Sequence, residues 1–165
     1  MRLIVCTLPI AGLLALAAPL AAQESLGVFG DWGAFRNERA GKCYAIAMPD
    51  ERRGRRDFAA FASVGTWPGK GVRGQVHFRS SLALPRNARP TLTIGAQSFI
   101  LTGGGSNIWA RDGQQDAAIL AAMRSASSMS LRARDARGAI FVDRYSLEGV
   151  ATAMDAATVG CAQRQ

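Results

Sequence analysis

The groups in this chain with the charge and reach to do chemistry are arginines, a few carboxylates, one histidine and a widely spaced pair of cysteines. The densest cluster is Asp50-Glu51-Arg52-Arg53-Gly54-Arg55-Arg56, which sets four guanidinium groups within five positions beside two acids. Guanidinium forks match the paired oxygens of phosphates and carboxylates. Arg52, Arg53, Arg55 and Arg56, with Arg73 and Arg79 on a following strand, are therefore candidates for an anion-binding surface. Such a surface suits lipopolysaccharide phosphates, anionic envelope lipid or an acidic protein partner. The competing reading is a solvated hairpin tip whose acids neutralise part of its charge. Aromatic residues do not alternate with these arginines as a stacking platform for nucleic acid would require, so nucleic acid is not an expected partner.

His77 is the single histidine, which excludes a multi-histidine metal site or a histidine relay; no metal and no small-molecule cofactor is expected. It sits between Gln75 and Arg79 and reads as a surface residue. Paired carboxylates are the other route to catalysis, and Asp112 with Asp116, or Asp50 with Glu51, have the spacing to be considered. Asp116 is better placed as the N-cap of a helix. A small hydrolase is the alternative function, and it requires some pair among Asp31, Asp50, Glu51, Asp112 and Asp143 to converge in one cleft. The serines flanking Met129 lack the Gly-x-Ser-x-Gly setting of a nucleophile elbow. Gly103-Gly104-Gly105-Ser106-Asn107 leads into an apolar Ile108-Trp109 rather than a helix, so it reads as a flexible turn and not a phosphate cradle. Asp31 beside Trp32 reads as a structural anchor for the first segment.

These groups need a scaffold, and the 165-residue chain has room for a single domain. A composition of 48% hydrophobic and 19% charged residues excludes disorder, and the net charge of +8 favours acidic partners. Met1-Arg2 is followed by an almost wholly apolar stretch to Leu20. Its uninterrupted core is shorter than the roughly 20 residues of a spanning helix. With the small residues Ala21 and Ala22 before Gln23, it reads as an export signal cut after Ala22, the alternative being an uncleaved membrane tether. Residues 1–22 are thus the expected signal peptide, Cys6 is discarded with them, and residues 23–165 form the mature domain. Cys43 and Cys161 then remain as an even pair near opposite ends of an exported chain, where a disulfide is expected rather than two buried thiols. No Cys-x-x-Cys suggests a redox role.

The middle of the chain carries strand patterns. Residues 43–48 alternate, with Cys43, Ala45 and Ala47 on a small-residue face opposite Tyr44, Ile46 and Met48. Residues 58–64 read as a strand entering a turn at Gly65 to Gly69. Residues 73–79 put Val76 and Phe78 inward and Arg73, Gln75, His77 and Arg79 toward water. Residues 84–90 read as punctuation, 91–101 as a hairpin, and 128–134 with 139–142 as a second hairpin turning at 135–138. One helix is expected from Asp116 to about Ser125. A second, capped by Ser146, carries the stripe Leu147, Val150, Ala151, Met154, Thr158 and Cys161. The fold class is mainly β (α+β), an antiparallel β-sandwich-like domain with two packed helices, the second C-terminal.

Four segments also carry a likeness. They are Phe29-Gly30-Asp31-Trp32, Cys43 to Pro49 eleven positions on, Ala122-Met123-Arg124 before a short strand, and Asp143 to Gly149 with a helix running to Cys161. In that order they span nearly all of residues 23–165, and the chain resembles the invasion-associated locus B family of exported alphaproteobacterial proteins. The resemblance implies a β-sandwich-like domain of the periplasm or cell envelope, with no established catalytic residue to carry over. It implies a role in envelope integrity or host-cell interaction, although the family also covers proteins of free-living bacteria. The expectation is a non-catalytic binding protein. An envelope structural protein, with neither cleft nor basic patch, is the third reading.

Overall fold

The computed structural model describes residues 23–50 and 54–162; the expected export signal, Glu51, Arg52 and Arg53 lie outside the described residues. Alternating side chains build β1 (Glu24–Phe29), β2 (Trp32–Asn37), β3 (Lys42–Ala47), β4 (Phe61–Trp67), β5 (Val72–Ala88), β6 (Thr91–Ile94), β7 (Gln97–Ile100) and β8 (Thr102–Trp109). Helix α1 (Gly113–Ser125) precedes β9 (Ser128–Arg134) and β10 (Ile140–Ser146), and α2 (Val150–Ala162) closes the chain. One sheet has the strand order β1-β2-β3-β4-β5-β8, the other β10-β9-β6-β7, and every pairing is antiparallel. The fold is mainly β, an α+β sandwich-like arrangement with two helices, as the sequence patterns indicate.

The core lies where three apolar faces meet. The small-residue face of β3 is buried as expected, with Cys43, Ala45 and Ala47 under α2, whose Ala153, Met154 and Ala157 pack into the same core. Small side chains on both elements let the helix approach the sheet closely. Val76 and Phe78 of β5 face inward, and Phe78 meets the Tyr145 ring edge-on with centroids 5.9 Å apart. Leu92, Ile94, Met129, Leu131 and Phe141 supply the facing layer. Asp143 is also buried in this layer, and its carboxylate accepts from the Ser81 amide at 3.0 Å and the Ser81 hydroxyl at 2.6 Å, pinning β10 to the middle of β5. Cys43 and Cys161 form the disulfide, bridging a sequence separation of 118. Trp32 is fully buried and donates from Nε1 to the Ser146 carbonyl at 3.0 Å, the anchoring role expected of the Asp31-Trp32 pair.

Several expectations are corrected. Helix α1 begins earlier: Asp112 has the extended backbone of an N-cap and accepts from the Gln115 amide at 2.8 Å. Asp116 instead accepts from the Val76 amide at 2.8 Å, tying α1 to β5. Burial pushes its carboxyl above the usual range, against that hydrogen bond, with Asp112 adding to the rise. Strand β4 starts at Phe61, because the amides of Asp57 and Phe58 are taken by the Ser81 carbonyl, and it runs on through Trp67 to a turn at Pro68. Residues 84–88 do not break the chain but extend β5. Gly103 to Asn107 is not a turn: it lies inside β8, where two register shifts against β5 use the room that glycines leave. Ser146 accepts from the Glu148 amide at 3.1 Å, so it caps the turn before α2 rather than the helix.

Candidate functional site

Helix α2 covers β1 to β4 on one face of the six-stranded sheet, and α1 packs on β5. The opposite face has a composition that an ordinary solvent-facing sheet does not. An antiparallel sheet with one wet face alternates apolar in and polar out. Here the outward positions carry Phe35 on β2, Tyr44 and Ile46 on β3, Phe61 and Trp67 on β4, His77 on β5 and Trp109 on β8. Clustered apolar surface of this kind marks a binding face more often than chance exposure does.

The rings are arranged, not scattered. Gly65 lies directly across from Tyr44, and the Trp67 indole rests where a Gly65 side chain would stand, 2.7 Å from that Cβ position. Phe35 lies over Gly33 in the same way. Without a Cβ beneath them, both rings lie against the backbone of the sheet. Phe35 stacks beside Tyr44 with centroids 5.8 Å apart, and His77 is flanked by Trp109 at 5.1 Å and by Phe61 at 5.4 Å. The Lys42 ammonium sits 4.7 Å from the Tyr44 ring centre and 5.6 Å from that of Trp67. Gln23, Ser63, Gln75 and Asn107 complete a hollow of about 500 Å³. Trp109 remains 40% exposed beside it. Burial raises the Tyr44 hydroxyl above its ordinary value, partly offset by the hydrogen bond from Gln23.

His77 is not a plain surface residue. Its Nε2 lies 3.0 Å from Asn107 Oδ1, and burial holds it below its ordinary value of 6.5. The Asn107 bond opposes that effect, while Lys42 and Arg79 add to it. The unfolded chain therefore takes up the proton first as pH falls. Stability is expected to decline from about pH 7 downward through the ordinary histidine value and to level off below the folded-state value. Urea midpoints measured from pH 7.5 to 5 should show this slope in the native protein and a flatter one in His77→Gln. Equal slopes would mean that the proton is not excluded from the folded site.

Of the sequence-predicted arginines among the described residues, Arg73 and Arg79 emerge on opposite sides of the six-stranded sheet. Glycine at position 74, with φ +69°, makes a bulge at which Trp67 pairs with Val72 while Gly65 pairs with Gln75. The extra residue turns Arg73 to the helix side, where it lines a groove of about 230 Å³ with Leu120, Arg124, Met154 and Thr158. Arg79 stays on the aromatic side, its guanidinium 5.3 Å from the Phe58 ring centre. Arg55 is paired with Asp135 at 3.1 Å and Asp57 at 3.5 Å, and Asp135 in turn accepts from the amides of Arg137 and Ala139. The positive charge of Arg56 acts on Tyr145, whose buried hydroxyl is pushed far upward by desolvation first and by Asp143 second. Sequence reasoning did not single out Arg132, Arg134 and Arg144 as a group; β9 and β10 expose them on the outer face of the second sheet.

Among the carboxylates, Asp112, Asp116 and Asp143 are engaged in the bonds described above. Asp31 and Asp50 both line a second hollow, of about 610 Å³, which adjoins the aromatic one at Ile46 and includes the exposed Val28 and Met48. Among the described residues, no three of the histidine, cysteine and acid side chains cluster as metal ligands. No helix among them is long and apolar enough to cross a membrane. No family model, no curated protein and no solved structure matches the chain.

Proposed function

We propose that the protein is an exported, periplasmic or envelope-associated member of the invasion-associated locus B type, and that it acts by binding without catalysis. The aromatic face of the six-stranded sheet is its binding surface. The observation that carries this reading is the pair of rings resting over glycines, Trp67 on Gly65 and Phe35 on Gly33, on a sheet face that no helix among the described residues covers. Export is supported by the N-terminal pattern of residues 1–22 and by the Cys43–Cys161 disulfide, a bond kept in oxidising compartments. The role served is in envelope integrity or in contact with a host cell, with anionic envelope lipid, lipopolysaccharide or an acidic protein within the range of partners that a net charge of +8 favours.

Retention of the oxidised protein on isolated cell envelopes tests the surface. The Trp67→Ala/Trp109→Ala variant should be retained at least ten-fold less, while Arg132→Ser/Arg134→Ser on the far sheet should change little. Unchanged retention in the tryptophan variant would remove the aromatic face as the binding surface. A second reading has its own observation, since Asp31 and Asp50 share one hollow next to the aromatic one. A small hydrolase working there would turn over an envelope substrate and lose turnover, but not retention, in Asp31→Asn and Asp50→Asn.

A further inference from the structure

We infer that the aromatic hollow takes a strand of acidic polysaccharide, an inference that rests on the reading of this face as the binding surface. The first reason is how the rings are presented. Trp67 lies over Gly65 within the hollow, Phe35 lies over Gly33 in the adjoining one, and Trp109 extends the row by stacking on His77 at 25° between planes. Flat apolar faces complement the flat C–H face of a pyranose ring, whereas branched side chains of a peptide need holes between rings. The second reason is the polar lining. Gln23, Ser63, Gln75 and Asn107 both donate and accept hydrogen bonds, as a run of sugar hydroxyls requires. The hollow's volume of about 500 Å³ lies in the range of roughly 300–1,000 Å³ occupied by small-ligand sites.

Charge then selects among glycans. Lys42 lies against the Tyr44 and Trp67 rings, Lys42 and Arg79 are both close enough to act on His77, and no carboxylate is among the described residues that line the hollow. A neutral glycan would leave the Lys42 charge without a partner on the ligand. A nucleic acid strand carries a phosphate at every unit and is tracked by rows of cations. Here side-chain amides outnumber the cations. An acid group on every second or third sugar fits one ammonium among several amides. The same chemistry is offered by carboxylated, sulfated and phosphorylated glycans.

Tryptophan fluorescence reads the encounter directly, because Trp67 and Trp109 lie at the site while Trp32 is fully buried with its N–H bonded. The oxidised protein is titrated with a hyaluronan oligomer, which carries a carboxylate on every second sugar, a sulfated glycosaminoglycan oligomer and a phosphorylated mannan oligomer, against cellohexaose and oligothymidylate. At least one acidic glycan should bind ten-fold or more tightly than cellohexaose and than oligothymidylate, and weaken at least three-fold from 50 to 300 mM salt. Binding should drop at least ten-fold in Trp67→Ala and in Trp109→Ala, and Lys42→Gln should lose the salt dependence while keeping its urea midpoint. Equal binding of cellohexaose, tighter binding of oligothymidylate, or no binding of any acidic probe would overturn the inference. If envelope retention still depends on Trp67 and Trp109 while no glycan binds, the ligand class is wrong and the surface stands. If retention is also independent of them, the surface itself is wrong.

Discussion

Opening the Cys43–Cys161 link, by reductant or in the Cys43→Ala/Cys161→Ala variant, is expected to lower the free energy of unfolding by about 4 to 5 kcal/mol. The reasoning concerns the unfolded chain. A cross-link spanning a sequence separation of 118 removes most of the loop-closure freedom of residues between β3 and α2. The folded state loses less. Cys43 lies on a face it shares with Ala45 and Ala47, so alanine there matches its neighbours. Helix α2 also keeps Ala153, Met154 and Ala157 in the core. The variant should therefore fold, with a thermal midpoint about 10 to 15 °C lower. Urea unfolding followed by tryptophan emission measures the difference; a loss below about 1 kcal/mol would show that the unfolded chain is not constrained by the bond.

Gly149→Ala should be comparably damaging, by about 3 to 5 kcal/mol, although it adds a single methyl group. Gly149 has φ +82°, and a Cβ there would run into the carbonyl of Phe29. The two turns are in mutual contact: a Cβ on Gly30, at φ +54°, would come 2.6 Å from the Glu148 carbonyl oxygen, and the Asp31 amide donates to that oxygen at 3.1 Å. Backbone cannot yield as a side chain can. The turn between β1 and β2 must move, and with it the neighbouring Trp32, whose N–H is held by Ser146. The loss therefore combines strain at a positive φ with damage to a buried anchor. Gly69→Ala is the control, since nothing approaches a Cβ at that position. A midpoint for Gly149→Ala within error of that control would contradict the crossing.

What could be read from the sequence was whatever depends on neighbours along the chain. The small-residue face of residues 43–47, the inward Val76 and Phe78 and the two short hairpins are local periodicities, and each is present; of the stripe expected on α2, Val150 and Met154 are buried, but the helix turns Ala153, Ala157 and Gly160 inward and leaves Thr158 exposed. The disulfide is expected from the parity of the cysteines and the export pattern read in residues 1–22, and the bond is present. Features that depend on partners across space were not legible. Asp112 and Asp116 are both acceptable helix caps locally, and it is the Val76 amide that draws Asp116 away. The glycines of β8 suggest a break until β5 is placed beside them. The bulge at Gly74 reverses the side on which Arg73 emerges, a one-residue slip that period-two counting passes over. The aromatic face is drawn from five strands, each contributing one or two rings, so no single window of sequence shows it. An outward Tyr44 and Ile46 opposite an inward Cys43 and Ala45 was the nearest available signal.

The route of the chain also sets an order of events during biogenesis. Helix α2 is the last element made, yet it covers β1, β2 and β3, the first three. Until it emerges, those strands have no lid and the Cys43 thiol has no mate. Pairings of such long range are slow to form. A newly made chain thus passes through an interval in which its earliest hairpins are bare, and the Cys43–Cys161 bond can close only once α2 is in place.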